Sequence, residues 1–410
     1  MKKEFILGTI FVMAIFALGA QQGTGNVVTD YTSAGGPEIR YIGDYAILDG
    51  VLISYSGDDE HLVIPANLGI TEIGTGVFIL SNLRSVSIPE GVTVIGEKAF
   101  MECFSLQSVT FPETLVEIGS LAFNDCRELE SLTIPNNVTN ISNYAFSGLT
   151  SINIGSGLND IEPFLWGTLQ NFNVDANNPY FSSIDGVLFN KDVTELIRFR
   201  KRNEEVYIVP NSVTTIGSSA FSAPGLRSVF IPANVHTIDY YAFVGCPNLL
   251  EIIVDERNLN YASVDGVLFD SEMATLIKFP EGRNGHYSIP NTVNEISRIA
   301  FSGSSLSSIT MSNSMSMINE YTFYWSRGLT SVIIPENVNF IGSHAFNGSI
   351  TNIHIGSNVD IHELAFGRTG FSGNHNRFFN HFFQLYRRTG RASGTYTRPD
   401  TNSTTWVYTP

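Results

Sequence analysis

The side chains best suited to nucleophilic or metal chemistry in this sequence are its three cysteines and eight histidines. Cys103, Cys126 and Cys246 each stand three residues after the phenylalanine of an Ala-Phe pair. A cysteine nucleophile or a zinc site needs a histidine or further thiols at suitable spacing, and the histidines are scattered along the chain. The shared position predicts small buried side chains, while Cys103 and Cys126 could also approach the distance of a disulfide.

No other arrangement of residues predicts catalysis. His362 and Glu363 are not followed by the second histidine of H-E-x-x-H, and G-x-S-x-G, P-loop and G-x-G-x-x-G patterns are missing. The acidic stretch from Asp185 to Asp192 lacks the alternating oxygen ligands of a calcium loop. The sequence therefore predicts a protein that is not an enzyme and that holds no cofactor and no metal.

The net charge bears on the class of ligand, and the N-terminal residues indicate the cellular location. A formal net charge of −16 argues against a nucleic-acid ligand, which would require a basic face. Lys2 and Lys3 precede an apolar run and the small residues Gly19 and Ala20, which is typical of a secretory signal peptide over residues 1–20. The run is too short to span a bilayer. We expect an exported protein, secreted or on the cell surface, with the periplasm as an alternative, and a linker over residues 21–41.

An internal repeat organises the rest of the chain. An Ile-Pro step is followed by Val-Thr, Ile-Gly and Ala-Phe, and then by a strand-like run such as Leu83–Ile88. Neighbouring copies are mostly 22 or 23 residues apart, and a period in the twenties predicts a solenoid in which each unit packs only on its neighbours. The phenylalanine of the Ala-Phe step or its equivalent recurs at Phe78, Phe100, Phe123, Phe146, Phe221, Phe243, Phe301, Phe323, Phe346 and Phe366.

A longer repeat is superimposed on the short one. The segment 183–189 returns as 263–269 with Asp-Gly-Val-Leu-Phe in common, and a shorter copy begins at Asp49. Each copy consists of two apolar strands around a polar turn, which predicts hairpin-bearing long repeats near 45–65, 177–210 and 257–290. The predicted fold is a leucine-rich-repeat solenoid over residues 42–366. We expect a parallel β-sheet on one face, with short helical turns or irregular segments and hairpin inserts on the other.

The phrase IPEGVTVIGEKAFMECFSLQSVTF, residues 88–111, resembles the BspA-type leucine-rich repeat of bacterial exported and cell-surface proteins. The resemblance covers residues 42–366. It implies an adhesin-type protein that binds host matrix or plasma proteins or other bacteria, without identifying the ligand.

Alternation along the repeat strands separates inward from outward side chains. In Leu83–Ile88, Val86 and Ile88 should face the core and Ser85 and Ser87 the solvent. Most outward positions carry Ser, Thr or Asn, which is typical either of a solvated polar surface without a binding role or of a binding face. Apolar residues at three of them favour binding. The candidate ligand-binding positions are Ser228, Phe230, Glu251, Ile253, Ser331, Ile333, Asn352 and His354.

The C-terminal segment, residues 367–410, differs from the repeats. It carries six arginines and one acidic residue, and its aromatic residues at 379, 382, 383 and 386 follow the spacing of an amphipathic helix. A hairpin is predicted around Pro399 and Asp400. The segment should cap the last apolar repeat. The alternative is an anchor to an acidic envelope partner or membrane surface through Arg387, Arg388 and Arg391.

Together these features predict a non-enzymatic protein that binds a partner protein through its open sheet face. A host matrix or cell-surface protein is the expected partner. The alternatives are a structural component of the envelope and a carbohydrate-binding module, since exposed Asn, Ser and Thr suit glycan hydroxyl groups.

Overall fold

The computed structural model describes residues 39–160, 169–346, 349–366, 380–400 and 405–410. The predicted signal peptide and residues 21–38 of the predicted linker lie outside this part of the chain. So do residues 367–379 of the C-terminal segment. The described residues form two compact units, which are drawn from Met1–Leu129 with Asn140–Ser147 and from Glu130–Thr139 with Gly148–Pro410.

The first unit consists of β-strands joined by turns, with one short 3-10 turn at Ala66–Leu68. Its described strands are β1 (Ile39–Ile42), β2 (Tyr45–Leu48), β3 (Val51–Tyr55), β4 (His61–Val63), β5 (Glu72–Ile73), β6 (Ser85–Ser87), β7 (Val94–Ile95), β8 (Ser108–Thr110), β9 (Glu117–Ile118) and β11 (Asn140–Ile141). They form one sheet in the order β4-β6-β8 and another in the order β1-β2-β3-β5-β7-β9-β11. Strand β1 thus includes residues 39–41, which the sequence had suggested as the end of a linker.

The second unit repeats this plan with more turns. Its described elements are β10 (Ser131–Ile134), β12 (Ser151–Ile154), β13 (Asn171–Val174), β14 (Phe181–Ile184), β15 (Val187–Asn190), β16 (Glu195–Arg198), β17 (Val206–Ile208), β18 (Thr215–Ile216), β19 (Ser228–Ile231), β20 (Thr237–Ile238), β21 (Glu251–Val254), β22 (Tyr261–Val264), β23 (Val267–Asp270), β24 (Thr275–Lys278), β25 (Asn284–Ser288), β26 (Glu295–Ile296), β27 (Ser305–Thr310), β28 (Met317–Ile318), β29 (Ser331–Ile333), β30 (Phe340–Ile341), β31 (Asn352–Ile355), β32 (Asp360–Ile361), helix α1 (Asn380–Arg388), β33 (Gly394–Thr397) and β34 (Val407–Thr409).

Two series of sheets run through the second unit. One contains the longer strands, in the orders β10-β12-β13, β17-β19-β21 and β25-β27-β29-β31-β33-β34. The other contains the two-residue strands and the inserts, in the orders β14-β15-β16-β18-β20, β22-β23-β24-β26 and β28-β30-β32. Consecutive repeat strands pair in parallel. The predicted leucine-rich-repeat solenoid is therefore confirmed, with about 14 turns and very little helix.

A ladder of stacked phenylalanines fills the core along the turns. Rings of adjacent turns lie nearly parallel, with centroids 4.8 Å apart for Phe78 and Phe100 and 5.0 Å apart for Phe221 and Phe243. Most ladder phenylalanines also donate their backbone N–H to the alanine carbonyl of the next turn, as from Phe100 to Ala122 at 2.8 Å, whereas Phe301 donates to the carbonyl of Thr322. The distance between stacked rings matches the distance between neighbouring strands. The same repeat period therefore allows both the rings to stack and the backbones to pair.

The Ala-Phe steps are irregular rather than helical, which is the second of the two predicted alternatives. The residue before the alanine has a positive φ, 57° at Lys98 and 58° at Leu121, and so has the second residue after the phenylalanine, as at Glu102. These left-handed residues interrupt any right-handed helix on both sides of the step. The phenylalanines are instead joined by turns and by isolated parallel bridges, such as Phe199 with Phe221.

The two long repeats carry matching hairpins. Strands β14 and β15, and likewise β22 and β23, pair in an antiparallel manner around an Asp-Gly turn. Both residues of each turn have positive φ, 49° and 76° at Asp185 and Gly186, which is the type I′ geometry of tight hairpins. A side chain at Gly186 would also collide with Asn171. The buried Asn258 fixes the second hairpin, since its amide donates to two carbonyls at 2.9 Å.

Aromatic residues of the C-terminal segment join the core of the second unit. Phe382 lies 4.8 Å from Phe366, the last ladder phenylalanine, in an edge-to-face arrangement. The buried Tyr386 donates its hydroxyl to the carbonyl of Gly356 at 3.0 Å and accepts the backbone N–H of Val359 at 2.9 Å. Strand β33 pairs antiparallel with β31, so it ends the series of parallel repeat strands.

Candidate binding face

The outward residues of the longer strands form the candidate binding face. Inward residues of these strands are buried, as Val86, Leu132 and Ile152 illustrate. Outward residues range from half-buried to exposed in most strands, because side chains alternate across a sheet. The eight candidate positions lie on β19, β21, β29 and β31, all in the second unit.

Three apolar side chains stand side by side on the sheet β17-β19-β21. Ile208, Phe230 and Ile253 are register partners on adjacent parallel strands. Ile208 is 67% exposed, Ile253 is 38% exposed and Phe230 is half-buried. We call these three residues the apolar row. Single exposed apolar residues are common on protein surfaces, but a contiguous set on a polar sheet marks an interaction surface.

The other outward residues of the same sheet are Val206, Ser228 and Glu251, and the predicted exposure of Ser228 is wrong. Ser228 is only 8% exposed, so it cannot present its hydroxyl as an outward contact residue. Its register partners are Val206 and Glu251, whose longer side chains flank it on both sides. Glu251 is exposed, as expected.

Sequence reasoning missed the first strand of this sheet. Val206 and Ile208 are 57% and 67% exposed, yet their segment lacks the Leu-x-Ser-Val phrase that identifies the other repeat strands. The usable signal was the Val-Pro step at Val209 and Pro210. Counting back from it in alternation places Tyr207 inside, where its ring packs 4.2 Å from that of Phe199. Burial raises the pKa of the Tyr207 hydroxyl above its ordinary value, in agreement with this inward position.

The remaining candidate positions lie on the six-stranded sheet and do not form a second apolar row. Ile333 is 50% exposed, but its register partners are Thr310 and His354. His354 and Asn352 are exposed, and Ser331 is half-buried. The Nδ1 atom of His354 lies 3.1 Å from the hydroxyl of Thr395 on β33, so this histidine takes part in a cross-strand hydrogen bond.

All three cysteines are buried thiols with the same hydrogen bond. The Sγ atoms of Cys103, Cys126 and Cys246 donate to the carbonyl of the ladder phenylalanine one turn earlier, at 3.0, 3.1 and 2.9 Å. Ser326 occupies the equivalent position and donates to the carbonyl of Phe301 at 2.6 Å. A small thiol or hydroxyl donor therefore satisfies the phenylalanine carbonyl in these turns, although Leu149 stands at the same distance after Phe146 and shows that a donor is not essential.

The three arginines of the proposed anchor are distributed around α1. The guanidinium of Arg387 lies 5.5 Å above the ring of Phe383, and Arg388 is exposed. Arg391 follows the helix in a left-handed conformation and donates its backbone N–H to the carbonyl of Tyr386 at 2.9 Å. Its own carbonyl accepts the N–H of Asn358 at 2.9 Å, so the Arg391 backbone has a structural role.

The family described as the BspA type leucine rich repeat region matches residues 71–191, 198–284 and 283–372 of the chain, in six copies. The chain belongs to the BspA-type leucine-rich repeat family. No protein with a curated description matches it significantly. The resemblance inferred from residues 88–111 is thereby confirmed.

Several solved structures share the repeat fold with this BspA-type protein. A leucine rich cell surface protein from Faecalibacterium prausnitzii is 24% identical, with 80% of this chain and 91% of that chain covered and a TM-score of 0.43. A leucine-rich repeat protein from Eubacterium ventriosum is 20% identical, with 78% and 94% covered and a TM-score of 0.46. The pneumococcal vaccine antigen PcpA is 20% identical, with 82% and 83% covered and a TM-score of 0.35.

The described residues contain no helix that could cross a membrane. None of their helices combines the length and the apolar composition that a bilayer-spanning helix needs.

The state of the thiols can be tested directly. Burial raises the pKa of Cys246 to about 12, so at pH 8 only ~10⁻⁴ of this thiol is the reactive thiolate. We expect the native protein to be inert toward Ellman's reagent at pH 8 and to release three equivalents of chromophore after unfolding without reductant. A single equivalent after unfolding would instead demonstrate a disulfide between Cys103 and Cys126.

Proposed function

We propose that this protein is exported and binds a partner protein at the bacterial cell surface, without catalysing a reaction. The single observation that carries the proposal is the apolar row Ile208, Phe230 and Ile253, three register partners on adjacent strands of one sheet. The BspA-type family supports protein binding in general. Attachment to a host matrix or plasma protein is the specific form that we propose.

The apolar row suits this role energetically. Burying an apolar side chain yields roughly 25 cal/mol for each Å² removed from water. Three adjacent side chains that are already partly exposed can supply the central anchors of an interface, around which polar neighbours orient the partner. The other outward residues of this sheet are Val206, Ser228 and Glu251, of which the exposed Glu251 can orient a partner that covers the row.

A charge placed in the row should abolish binding without unfolding the protein. Phe230→Asp puts a carboxylate at the centre of the row, where contact with a partner would bury it unpaired. Purified protein should bind at least one member of an immobilised panel of fibronectin, laminin, collagen and fibrinogen. Phe230→Asp should lower that signal at least tenfold, with a melting temperature within a few degrees of that of the parent protein.

The matched control for this experiment is Thr310→Asp. Thr310 occupies the same position of strand β27 as Phe230 does of β19, and both follow a buried aliphatic residue. The control adds the same charge to the same kind of strand outside the apolar row and should bind normally. Equal binding by Phe230→Asp and the parent protein would contradict the proposal. Signals confined to a parallel glycan array would favour the carbohydrate-binding alternative.

We further propose that the C-terminal segment caps the solenoid. The support comes from the contacts of Phe382 and Tyr386 with the last turn and from the pairing of β33 with β31. The exposed guanidinium groups offer an alternative role in anchoring, and the two roles depend on different side chains.

Two variants separate a cap from an anchor. Tyr386→Ala removes a buried ring and two hydrogen bonds, so we expect a loss of about 3–5 kcal/mol in the free energy of unfolding, measured by denaturant titration. Arg387→Gln/Arg388→Gln/Arg391→Gln should leave that free energy within about 1 kcal/mol. If the triple variant detaches from intact cells while it stays folded, the segment also anchors. A stable Tyr386→Ala variant would contradict the cap.

A further inference from the structure

A basic cluster interrupts this acidic protein immediately before strand β17. Arg198, Arg200, Lys201 and Arg202 fall within five consecutive positions, whereas Lys and Arg together account for only 23 of the 410 residues. This cluster lies in the first long repeat, at the end of β16 and in the connection that leads to the apolar row.

Two of these arginines line a surface pocket of about 360 Å³. Arg200 and Arg202 contribute to its wall together with Ser222 and Pro224 of the next turn and Gly245 and Pro247 of the turn after that. The volume lies within the range of small-ligand sites. The pocket is therefore large enough for one or two carboxylate groups and is bordered by guanidinium groups that bind carboxylates in a bidentate manner.

The charge balance of the pocket favours an anion. Arg200 and Arg202 line the same pocket, and burial together with the neighbouring charge of Arg202 lowers the pKa of the Arg200 guanidinium. Lys201 is engaged by Glu204 at 3.1 Å. Arg202 is exposed and takes part in none of the ion pairs found between described residues.

The second long repeat lacks the basic residues that line the pocket in the first. Pro280, Glu281 and Gly282 stand 80 residues after Arg200, Lys201 and Arg202. There, the buried Glu281 pairs with Lys278 at 3.3 Å, so the charges neutralise each other inside the protein. The outward residues of the following strand differ as well, since His286 and Ser288 of β25 correspond to Val206 and Ile208 of β17. The basic pocket and the apolar residues thus occur together in one copy and are both missing from the other.

The pocket shares its three turns with the apolar row and is completed by Leu169 and Gln170, which precede β13. Arg202 precedes the first residue of β17 by four positions, while Pro224 and Pro247 each precede the first residue of β19 or β21 by four. Four residues span at most about 14 Å of extended chain. The pocket therefore lies at the end of the sheet where these three strands begin, within reach of a ligand that also covers the row.

We propose that the pocket and the apolar row together bind an extended acidic segment of the partner protein, with carboxylates between Arg200 and Arg202 and apolar side chains on Ile208, Phe230 and Ile253. This inference rests on the proposed protein-binding function and specifies the chemistry of the partner. Positive charge on the pocket complements negative charge on the ligand, and the apolar row favours a peptide over a sulfated polysaccharide, which has no apolar side chains to place there.

The test is a selection of random twelve-residue peptides displayed on phage against the purified full chain. Enriched peptides should carry Asp or Glu next to aromatic or aliphatic residues. Synthetic versions labelled with fluorescein are then titrated by anisotropy against the parent protein, Arg200→Gln/Arg202→Gln, the milder Arg202→Gln, and Phe230→Asp. The control Arg84→Gln/Arg127→Gln removes the same charge from two exposed arginines outside the pocket.

We expect Arg200→Gln/Arg202→Gln and Phe230→Asp each to weaken peptide binding at least tenfold, Arg202→Gln at least threefold, and the control less than twofold. Thermal melting checks that every variant is folded. A rise from 50 to 500 mM NaCl should weaken binding to the parent protein and have little effect on the arginine variant.

Peptides that depend on Phe230 but not on the arginines would overturn this inference and leave the proposed function intact. Peptides that bind independently of Phe230 would contradict the proposed function itself. The acidic-peptide site is excluded if no peptide is enriched. It is also excluded if the arginine variant loses retention on heparin-agarose, Phe230→Asp is retained normally, and the arginines affect no peptide. The heparin result would indicate a sulfated polysaccharide in the pocket instead.

Discussion

The fold depends on one constraint, which is that every turn must place its backbone and its phenylalanine directly over those of the previous turn. The N–H of most ladder phenylalanines donates to the alanine carbonyl of the next turn, for example from Phe221 to Ala242 at 2.8 Å. The rings stack at nearly the same distance, and a buried cysteine or serine adds a hydrogen bond to the phenylalanine carbonyl of the preceding turn. Turns of nearly constant length satisfy all three contacts at once, which explains the sequence period.

This constraint applies to inward residues and leaves outward residues free to change. The two long repeats illustrate the difference. Tyr207 and Tyr287 both point inward and pack on a phenylalanine, and burial raises the pKa of Tyr287 to about 12. The outward neighbours Ile208 and Ser288 have diverged completely. The outward residues of the apolar row are therefore not prescribed by the stacking of their turns, which agrees with the binding role that we propose for them.

Much of the architecture could be predicted because its signals lie between residues that are close in sequence. These signals are the repeat period, the alternation of Val86 with its polar neighbours and the Asp-Gly turns. The two-residue strands of the second series of sheets could not be recognised, since Thr215–Ile216 is too short for any pattern. Some of the left-handed residues beside the Ala-Phe steps are glycines, such as Gly148 and Gly245, but others, such as Lys98 and Leu121, are not, so residue type alone does not predict their conformation.

The candidate site was predicted only in part. Phe230 and Ile253 were visible as apolar exceptions in a polar series, but Ile208 belongs to a strand without the repeat phrase, and the burial of Ser228 depends on the size of its register partners. The pocket beside them joins residues of four separate segments, so no single segment of the sequence reveals it. Local patterns predict elements, whereas sites that depend on register require the assembled structure.

The central claim is that the apolar row serves binding and is dispensable for folding. The most direct measurement is the free energy of unfolding of Ile208→Ser/Phe230→Ser/Ile253→Ser, compared with that of Phe221→Ala in the ladder of the same turns. Removing the buried Phe221 ring should cost about 3–5 kcal/mol. Our account predicts a clearly smaller loss for the triple variant, because Ile208 is 67% exposed and Phe230 and Ile253 are only partly buried. A loss as large as that of Phe221→Ala would show that the row is structural and would contradict the claim.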